Sequence, residues 1–182
     1  EVKENKNNKI AFEEIGKANC AGCFLCANVC PFDAIEMRLD ENGFYFPEIN
    51  QKRCTRCGIC YNKCPVINNE NLNNKAPKAY AAYSKDEAIL KDSSSGGIFS
   101  ELAKTIIQEN GVVYGATWDY SSISVKHIRI ETLNDLPKLR KSKYLQSYIG
   151  DTYKKVKEDI NQNRKVLFVG TPCQVTAVNN MI

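Results

Sequence analysis

The stretch "NCAGCFLCANVCP", from Asn19 to Pro31, is repeated later in the chain as "RCTRCGICYNKCP", from Arg53 to Pro65. Each copy has the spacing Cys-x2-Cys-x2-Cys-x3-Cys-Pro, and together the two copies hold eight of the nine cysteines. The ninth, Cys173, stands alone within "VLFVGTPCQV". The chemistry of the eight paired thiols therefore decides the fold of the first third of the chain.

Three kinds of site compete for these thiols, namely disulfides, zinc and iron–sulfur clusters. Disulfides need an oxidising compartment, and an odd total of nine cysteines does not suit a closed disulfide framework. Zinc sites commonly use Cys-x2-Cys pairs, two pairs for each metal ion. Here four thiols fall within eleven residues and a proline follows them, which is the spacing typical of 4Fe-4S ligands.

The spacing also predicts how the thiols are shared. Three cysteines on a tight loop can each reach one iron corner of a cubane, and the fourth, one helical turn further on, reaches the other cluster of a two-cluster ferredoxin. We therefore expect each cluster to take three ligands from one copy and one from the other. The first set is Cys20, Cys23, Cys26 and Cys64, and the second set is Cys54, Cys57, Cys60 and Cys30.

The composition predicts a globular protein, with 43% hydrophobic and 25% charged residues. Residues 1–66 balance their charges, so the whole excess of +4 lies after them. This modest excess predicts no nucleic-acid partner, and the apolar runs are too short for membrane insertion. The N-terminus lacks the layout of a signal peptide, so we expect a cytoplasmic location. Because the chain stops within a predicted helix start, we expect the natural protein to continue past Ile182.

The fold class predicted from these patterns is α+β, with a small two-cluster ferredoxin-like domain followed by a partial α/β layer domain. We expect the ferredoxin-type domain with a short N-terminal tail over residues 1–66. An Asn-rich linker is expected over 67–78. The N-terminal part of an α/β domain is expected over 79–182.

Local patterns predict individual elements. "AIEMRLDENGFYFPEI" reads as a hairpin with an Asn-Gly turn, and "AYAAYS" as a strand. A helix is expected over residues 98–110, strands over "VVYGATW" and "SVKHIRIE", and an interior strand over "KVLFVG". We interpret His127 as structural and Trp118 as a core residue.

Three loops could carry chemistry. Ser93, Ser94, Ser95, Gly96 and Gly97 precede a helix and could cradle an anion, although capping of the helix by a serine is the simpler interpretation. "KLRKSKYLQS" clusters four cations beside Tyr144 and could hold a phosphate-bearing ring system or form a solvated face. Cys173 could be a metal ligand, a reactive thiol or a buried residue.

Taken in order, "SSSGGIFSELA", "VVYGATWD", "VKHIRIE", "LRKSKYLQSYIGDTY" and "VLFVGTPCQV" resemble the N-terminal part of the coenzyme F420 hydrogenase/dehydrogenase beta-subunit family. The resemblance implies an iron–sulfur flavoprotein oxidoreductase that binds FAD beside two 4Fe-4S clusters. It also implies a flavin site, and the residues carried over to it are Ser94, Ser95, Gly96, Gly97, Lys143, Tyr144, Thr171 and Cys173.

The implied partner is a redox protein or a hydride carrier of the deazaflavin or nicotinamide type, and the chain would belong to a larger complex. One alternative is an electron-transfer subunit that docks a larger redox enzyme and has no flavin of its own. Another is a structural or regulatory role, in which the clusters only stabilise the fold. The sequence does not identify a catalytic residue.

Overall fold

The structure, a computed structural model, describes residues 8–68 and 78–182 and divides the chain into two compact units. The first unit takes in the described residues up to 68, together with Ile149–Lys154 and Thr171–Ile182. The second takes in residues 78–148 and Lys155–Gly170. Residues 69–77 of the predicted linker lie outside the described residues. The predicted domain bounds therefore stay a prediction, and the contacts group two later segments with the cysteine-rich part.

The cysteine repeat is also a repeat of the backbone. The elements of the first unit are α1 (Ala11–Asn19), α2 (Leu25–Val29), β1 (Ile35–Leu39), β2 (Tyr45–Ile49), α3 (Ile59–Lys63) and α7 (Pro172–Met181). Helices α2 and α3 each follow a left-handed residue, Phe24 with φ 70° and Gly58 with φ 75°. They end at Cys30 and Cys64, each of which has extended backbone. The equal spacing in the sequence thus gives two equal loop–helix segments.

The predicted hairpin between the two copies is confirmed. Strands β1 and β2 pair antiparallel, from Ile35 opposite Ile49 to Leu39 opposite Tyr45. The Asp40 carboxylate accepts the backbone N–H groups of Asn42 and Phe44 at 3.0 and 2.9 Å and so holds the turn. Gly43 has φ 80°, a conformation that costs a glycine least.

The second unit is built on a three-stranded sheet in the order β4-β3-β5. Its elements are α4 (Glu87–Lys91), α5 (Ile98–Gln108), β3 (Val112–Asp119), β4 (Ser124–Ile130), a 3₁₀ helix (Leu133–Leu139) and β5 (Val166–Phe168). Helix α6 (Thr152–Asn161) begins in the first unit and ends in the second. Strand β4 runs antiparallel to β3, and β5 runs parallel to it. The core beside the sheet consists of Ala103, Val113, Ile130, Leu136 and Leu139.

The structure corrects two predicted strands. "KVLFVG" forms β5, but within the described residues β5 pairs only with β3 and lies at an edge, so the expectation of an interior strand is wrong. The uninterrupted apolar run forms a short, half-buried strand. The centre of the sheet is occupied by β3. "AYAAYS" forms no strand, and most of its side chains are exposed.

A charged network ties the sheet to α6 within the second unit. The Tyr114 hydroxyl donates to Asp159 Oδ2 at 2.5 Å, and Arg129 donates to both Asp159 oxygens at 2.7 and 2.8 Å. Glu131 accepts from Arg129 and, at 2.8 Å, from Arg164. The hydrogen bonds and charge of Arg129 hold the pKa of Asp159 below its ordinary value, whereas burial raises the pKa of Tyr114. The two N–H donors of Arg129 thus keep the buried Asp159 carboxylate ionised.

His127 has a structural environment, in agreement with the interpretation from the sequence. Its Nε2 lies 3.0 Å from the Val169 carbonyl oxygen, and its Nδ1 lies 2.9 Å from Ser147 Oγ. Since a carbonyl only accepts, Nε2 carries a hydrogen, and the Ser147 hydroxyl can donate to Nδ1 of the neutral ring. The ring stacks on Phe168 at 5.4 Å, and burial lowers its pKa.

We expect the second unit to lose stability as the pH falls below 6.5, the ordinary pKa of this imidazole. Between pH 6.5 and the lowered pKa, His127 binds a proton in the unfolded chain but not in the folded one. The free energy of unfolding therefore falls as the pH falls through this range. Urea unfolding between pH 7 and 5, followed by tryptophan fluorescence of Trp118, measures the effect. In His127→Gln the free energy of unfolding should depend less on pH. An equal dependence in the variant and the wild type would contradict the role given to His127.

Candidate functional site

Four thiols from both copies of the repeat line a cavity in the first unit. They are Cys30, Cys54, Cys57 and Cys60, three from the second copy and one from the first. Ile10 and Ile35 line the inner wall, whereas Cys57 is exposed. We call this cavity the outer site. Its lining agrees with the ligand set that the spacing of the second copy predicts.

The complementary four thiols line a second cavity in the same unit. They are Cys20, Cys23, Cys26 and Cys64, three from the first copy and one from the second. Phe24, Leu25, Met37 and Pro47 surround them, and all four of these side chains are buried. We call this cavity the inner site. The structure therefore brings together both predicted sets of thiols.

Burial changes the pKa of several thiols in the two sites. Among the described residues, no group of three or more His, Cys, Asp or Glu side chains is arranged to hold a metal ion. Burial raises the pKa of the Cys23 thiol to about 12, and it raises those of Cys20, Cys26 and Cys60 as well. A buried thiol stays protonated unless positive charge compensates the thiolate, so occupation by a cationic iron–sulfur core would release protons.

Backbone N–H groups point at several of the sulfurs. The N–H of Gly22 bonds to Cys20, that of Leu25 to Cys23, and that of Ala34 to Cys30 Sγ at 3.3 Å. Such hydrogen bonds stabilise thiolate charge and set the potential of a bound cluster.

Residues far along the chain brace the cysteine loops. The buried Tyr153 hydroxyl donates to the Cys23 carbonyl at 2.7 Å, and Asn28 Nδ2 donates to the Gly150 carbonyl at 2.8 Å. Asn180 Nδ2 donates to the Lys63 carbonyl at 3.0 Å. No local pattern marks these partners, because more than a hundred residues separate Asn180 from Lys63. Reasoning from the sequence missed them.

Cys173 lies at the start of α7, in the first unit. Thr171 is the N-cap and forms a capping box with Gln174, and Pro172 takes the first helical position. The "TPCQ" sequence is thereby explained as a helix start. Cys173 Sγ lies 3.2 Å from Thr171 Oγ1. Burial is the main cause that raises the pKa values of Cys20 and Cys23, and the charge of nearby Cys173 raises them further. The structure places Thr171 and Cys173 in the unit that contains the inner site.

The serine–glycine loop is shaped by close packing. A Cβ on Gly96 would lie 2.5 Å from the Ala82 carbonyl oxygen, and Gly97 has φ 77° at the N-cap of α5. No side chain caps α5, so the simpler interpretation of a serine cap is wrong. Ser94 Oγ accepts the backbone N–H of Ser142 at 3.4 Å. This bond joins the loop to the segment that carries Lys143.

A basic pocket lies in the second unit, beside β3 and β4. Its cations are Lys126, Lys138, Arg140, Lys141 and Lys143. Trp118 also lines it and stacks on Tyr120 at 6.5 Å, so the prediction of Trp118 as a core residue is wrong. The volume of about 650 Å³ is of the size that holds small-molecule ligands.

Carboxylates neutralise part of this charge. Lys126 pairs with Asp119 at 2.7 Å, and Arg140 pairs with Asp92 at 3.3 Å. Lys143 Nζ donates to the Arg140 carbonyl at 2.6 Å, and burial lowers its pKa. Tyr144 is 91% exposed. The pocket remains cationic and has an aromatic wall, which suits an anionic ligand with a ring system.

Comparison with known proteins agrees with the cysteine sites. Residues 19–68 match the family described as 4Fe-4S dicluster domain. No curated protein matches the chain. No helix in the described ranges combines the length and apolar character that a membrane span needs. The predicted fold class is therefore confirmed, with a ferredoxin-type iron–sulfur domain at the N-terminus followed by an α/β region.

Proposed function

We propose that this chain is an iron–sulfur flavoprotein oxidoreductase, or a subunit of one, that moves electrons between two 4Fe-4S clusters and FAD. One observation carries the electron-transfer part, namely that each of the two cavities is lined by three thiols of one copy and one of the other. That arrangement fits two cubanes whose fourth ligands are exchanged between the copies. The match to a dicluster domain supports the same electron-transfer role.

In this proposal the chain's own residues hold, shield and tune the clusters. Cys20, Cys23, Cys26 and Cys64 ligate the inner cluster, and Cys54, Cys57, Cys60 and Cys30 ligate the outer one. Phe24, Leu25 and Met37 exclude water from the inner site. The N–H groups that point at the sulfurs favour the thiolate form.

The basic pocket supports the flavin part of the proposal. Lys141 and Lys143 would bind the diphosphate of FAD, and the ring of Trp118 offers a surface on which an aromatic group can stack. FAD held there would supply the exchange between single electrons of the clusters and a hydride, which consists of two electrons and one proton. The family resemblance also implies Ser94, Ser95, Gly96, Gly97 and Tyr144 for the flavin site. It implies Thr171 and Cys173 too, but these lie in the first unit and not in the unit of the basic pocket.

The hydride carrier in this proposal is coenzyme F420 or another deazaflavin or nicotinamide compound. The chain would work within a larger redox complex. These points rest on the resemblance to the F420 hydrogenase/dehydrogenase beta-subunit family.

The flavin is tested by charge reversal in the basic pocket. Lys141→Glu/Lys143→Glu should lower the FAD content of anaerobically purified protein at least about tenfold, because two attractive contacts to phosphate become repulsive. Lys85→Glu/Lys91→Glu makes the same change of net charge on exposed side chains at α4 and should keep the wild-type content. Flavin is measured by chromatography after release by acid, and cluster content by iron analysis.

Wild-type protein with two clusters and no flavin would contradict the flavoprotein proposal. It would leave the electron-transfer subunit as the function. Protein that contains zinc, or no metal after oxygen-free handling, would contradict the redox function altogether.

A further inference from the structure

The two thiol-lined sites differ in their access to solvent. Of the nine cysteines, all within the described ranges, Cys57 alone is exposed, and it belongs to the outer site. Each site has one buried thiol, Cys60 in the outer site and Cys64 in the inner site, and Phe24, Leu25 and Met37 beside the inner site are buried. An electron carrier that docks from solution can approach the outer site most closely at Cys57.

Two apolar side chains flank the mouth of the outer site. Phe32 is 42% exposed and Ile59 is 38% exposed, and both line the cavity. Large apolar side chains at the rim of a redox site provide the water-excluding centre of a small docking interface. Their exposure leaves this area available for contact with another protein.

Cations lie near the outer site, where Arg56 lines the cavity and both Arg53 and Lys154 approach Asp33, the residue after Phe32. The loop "QKRCTRC" carries Lys52, Arg53 and Arg56 and no carboxylate. Arg53 Nη2 is loosely paired with Asp33 Oδ2, at 3.9 Å, and Lys154 Nζ lies 3.7 Å from Oδ1 of the same residue. One exposed carboxylate therefore faces two cations. Arg56 is paired more tightly, with Glu13 at 2.6 Å. Within the described residues Lys52 has no carboxylate partner.

We define the outer rim as Phe32, Lys52, Arg53, Cys57, Ile59 and Lys154. We propose that the outer rim docks an acidic one-electron carrier protein, and that electrons are exchanged with this partner through the outer site. One electron passes from the reduced partner to the outer site, and no bond forms or breaks. This inference rests on the proposed electron-transfer function and adds the location and the charge of the partner.

The charge of the partner follows from complementarity. A cationic rim attracts a carboxylate-rich surface over about one Debye length and repels a basic one, which raises the association rate of the acidic partner selectively. The small apolar centre suits a brief encounter, which is typical of redox partners with little buried area.

The test uses an acidic flavodoxin as the probe and a basic cytochrome as the opposite probe. Binding of the oxidised proteins is measured by interferometry at about 20 mM and about 300 mM salt, and stopped-flow absorbance measures electron transfer from the reduced flavodoxin. Lys52→Glu/Arg53→Glu should weaken flavodoxin binding and slow the transfer at least about tenfold at low salt, with little effect at high salt. Lys85→Glu/Lys91→Glu makes the same change of net charge. Its flavodoxin affinity and its rate of electron transfer should stay within about twofold of wild type.

Two results would overturn the inference. The first is an equal response of the two double variants, and the second is tighter binding of the cytochrome than of the flavodoxin by the wild-type protein. Iron and sulfide are measured on every sample, so intact clusters with no effect of charge would refute the docking surface and leave the proposed function standing. Protein without clusters would refute both. If the reversed charges disturb folding, Lys52→Gln/Arg53→Gln gives the same comparison with neutral side chains.

Discussion

Replacing both Cys23 and Cys64 by serine should leave about four of the roughly eight iron atoms that two cubanes contain. Replacing both Cys23 and Cys30 should remove nearly all of them. Cys23 and Cys64 line the inner site, whereas Cys30 lines the outer one. The first pair therefore disables one site, and the second pair, although it lies within one copy of the repeat, disables both.

Iron analysis and electron paramagnetic resonance of dithionite-reduced protein measure this result. The two double variants are matched controls, because each loses two thiols and keeps the other six of the repeat. If each copy bound its own cluster, the outcomes would be exchanged. Retention of iron by Cys23→Ser/Cys30→Ser with loss from Cys23→Ser/Cys64→Ser would therefore contradict the shared ligation.

Asp159→Asn should lower the free energy of unfolding of the second unit by roughly 2–4 kcal/mol, because Arg129 loses the buried anion that both of its donors reach. The amide also offers Tyr114 a weaker acceptor than the carboxylate. The lower end of the range allows for Arg129, whose side chain is 29% exposed and can recover some hydration.

The control for this prediction is Glu131→Gln in the same network. Its side chain is 43% exposed, so its ion pairs with Arg129 and Arg164 are screened by water, and the loss should stay below about 1 kcal/mol. Urea unfolding followed by the fluorescence of Trp118 gives both values. Equal losses in the two variants would show that Asp159 is no more important than an exposed partner.

The cysteine sites were largely predictable from the sequence. Ligands for a cubane must occur at fixed short spacings, so the pattern of thiols names the ligands and the exchange of the fourth one before any contact is known. The hairpin was predictable for a similar reason, since Asp40 and Gly43 hold the turn with local hydrogen bonds and a local backbone conformation.

The basic pocket was predictable only in part. The run from Lys138 to Lys143 is visible as a cluster of charges, but Trp118 and Lys126 reach the same pocket from two paired strands. Pairing between β3 and β4 brings Trp118 opposite Val125, beside Lys126, and this register depends on the whole sheet. A pattern along the chain therefore gave the four cations of this run and not the rest of the lining.

What the sequence predicted by itself is which of the eight thiols line each site, because the ligands of a cubane occur at fixed local spacings. Only the tertiary structure decided which residues brace and surround them. Tyr153, Asn180 and Cys173 come to the cysteine loops from the far end of the chain. Contacts between distant segments depend on the packing of the whole unit, and no short stretch of sequence contains that information.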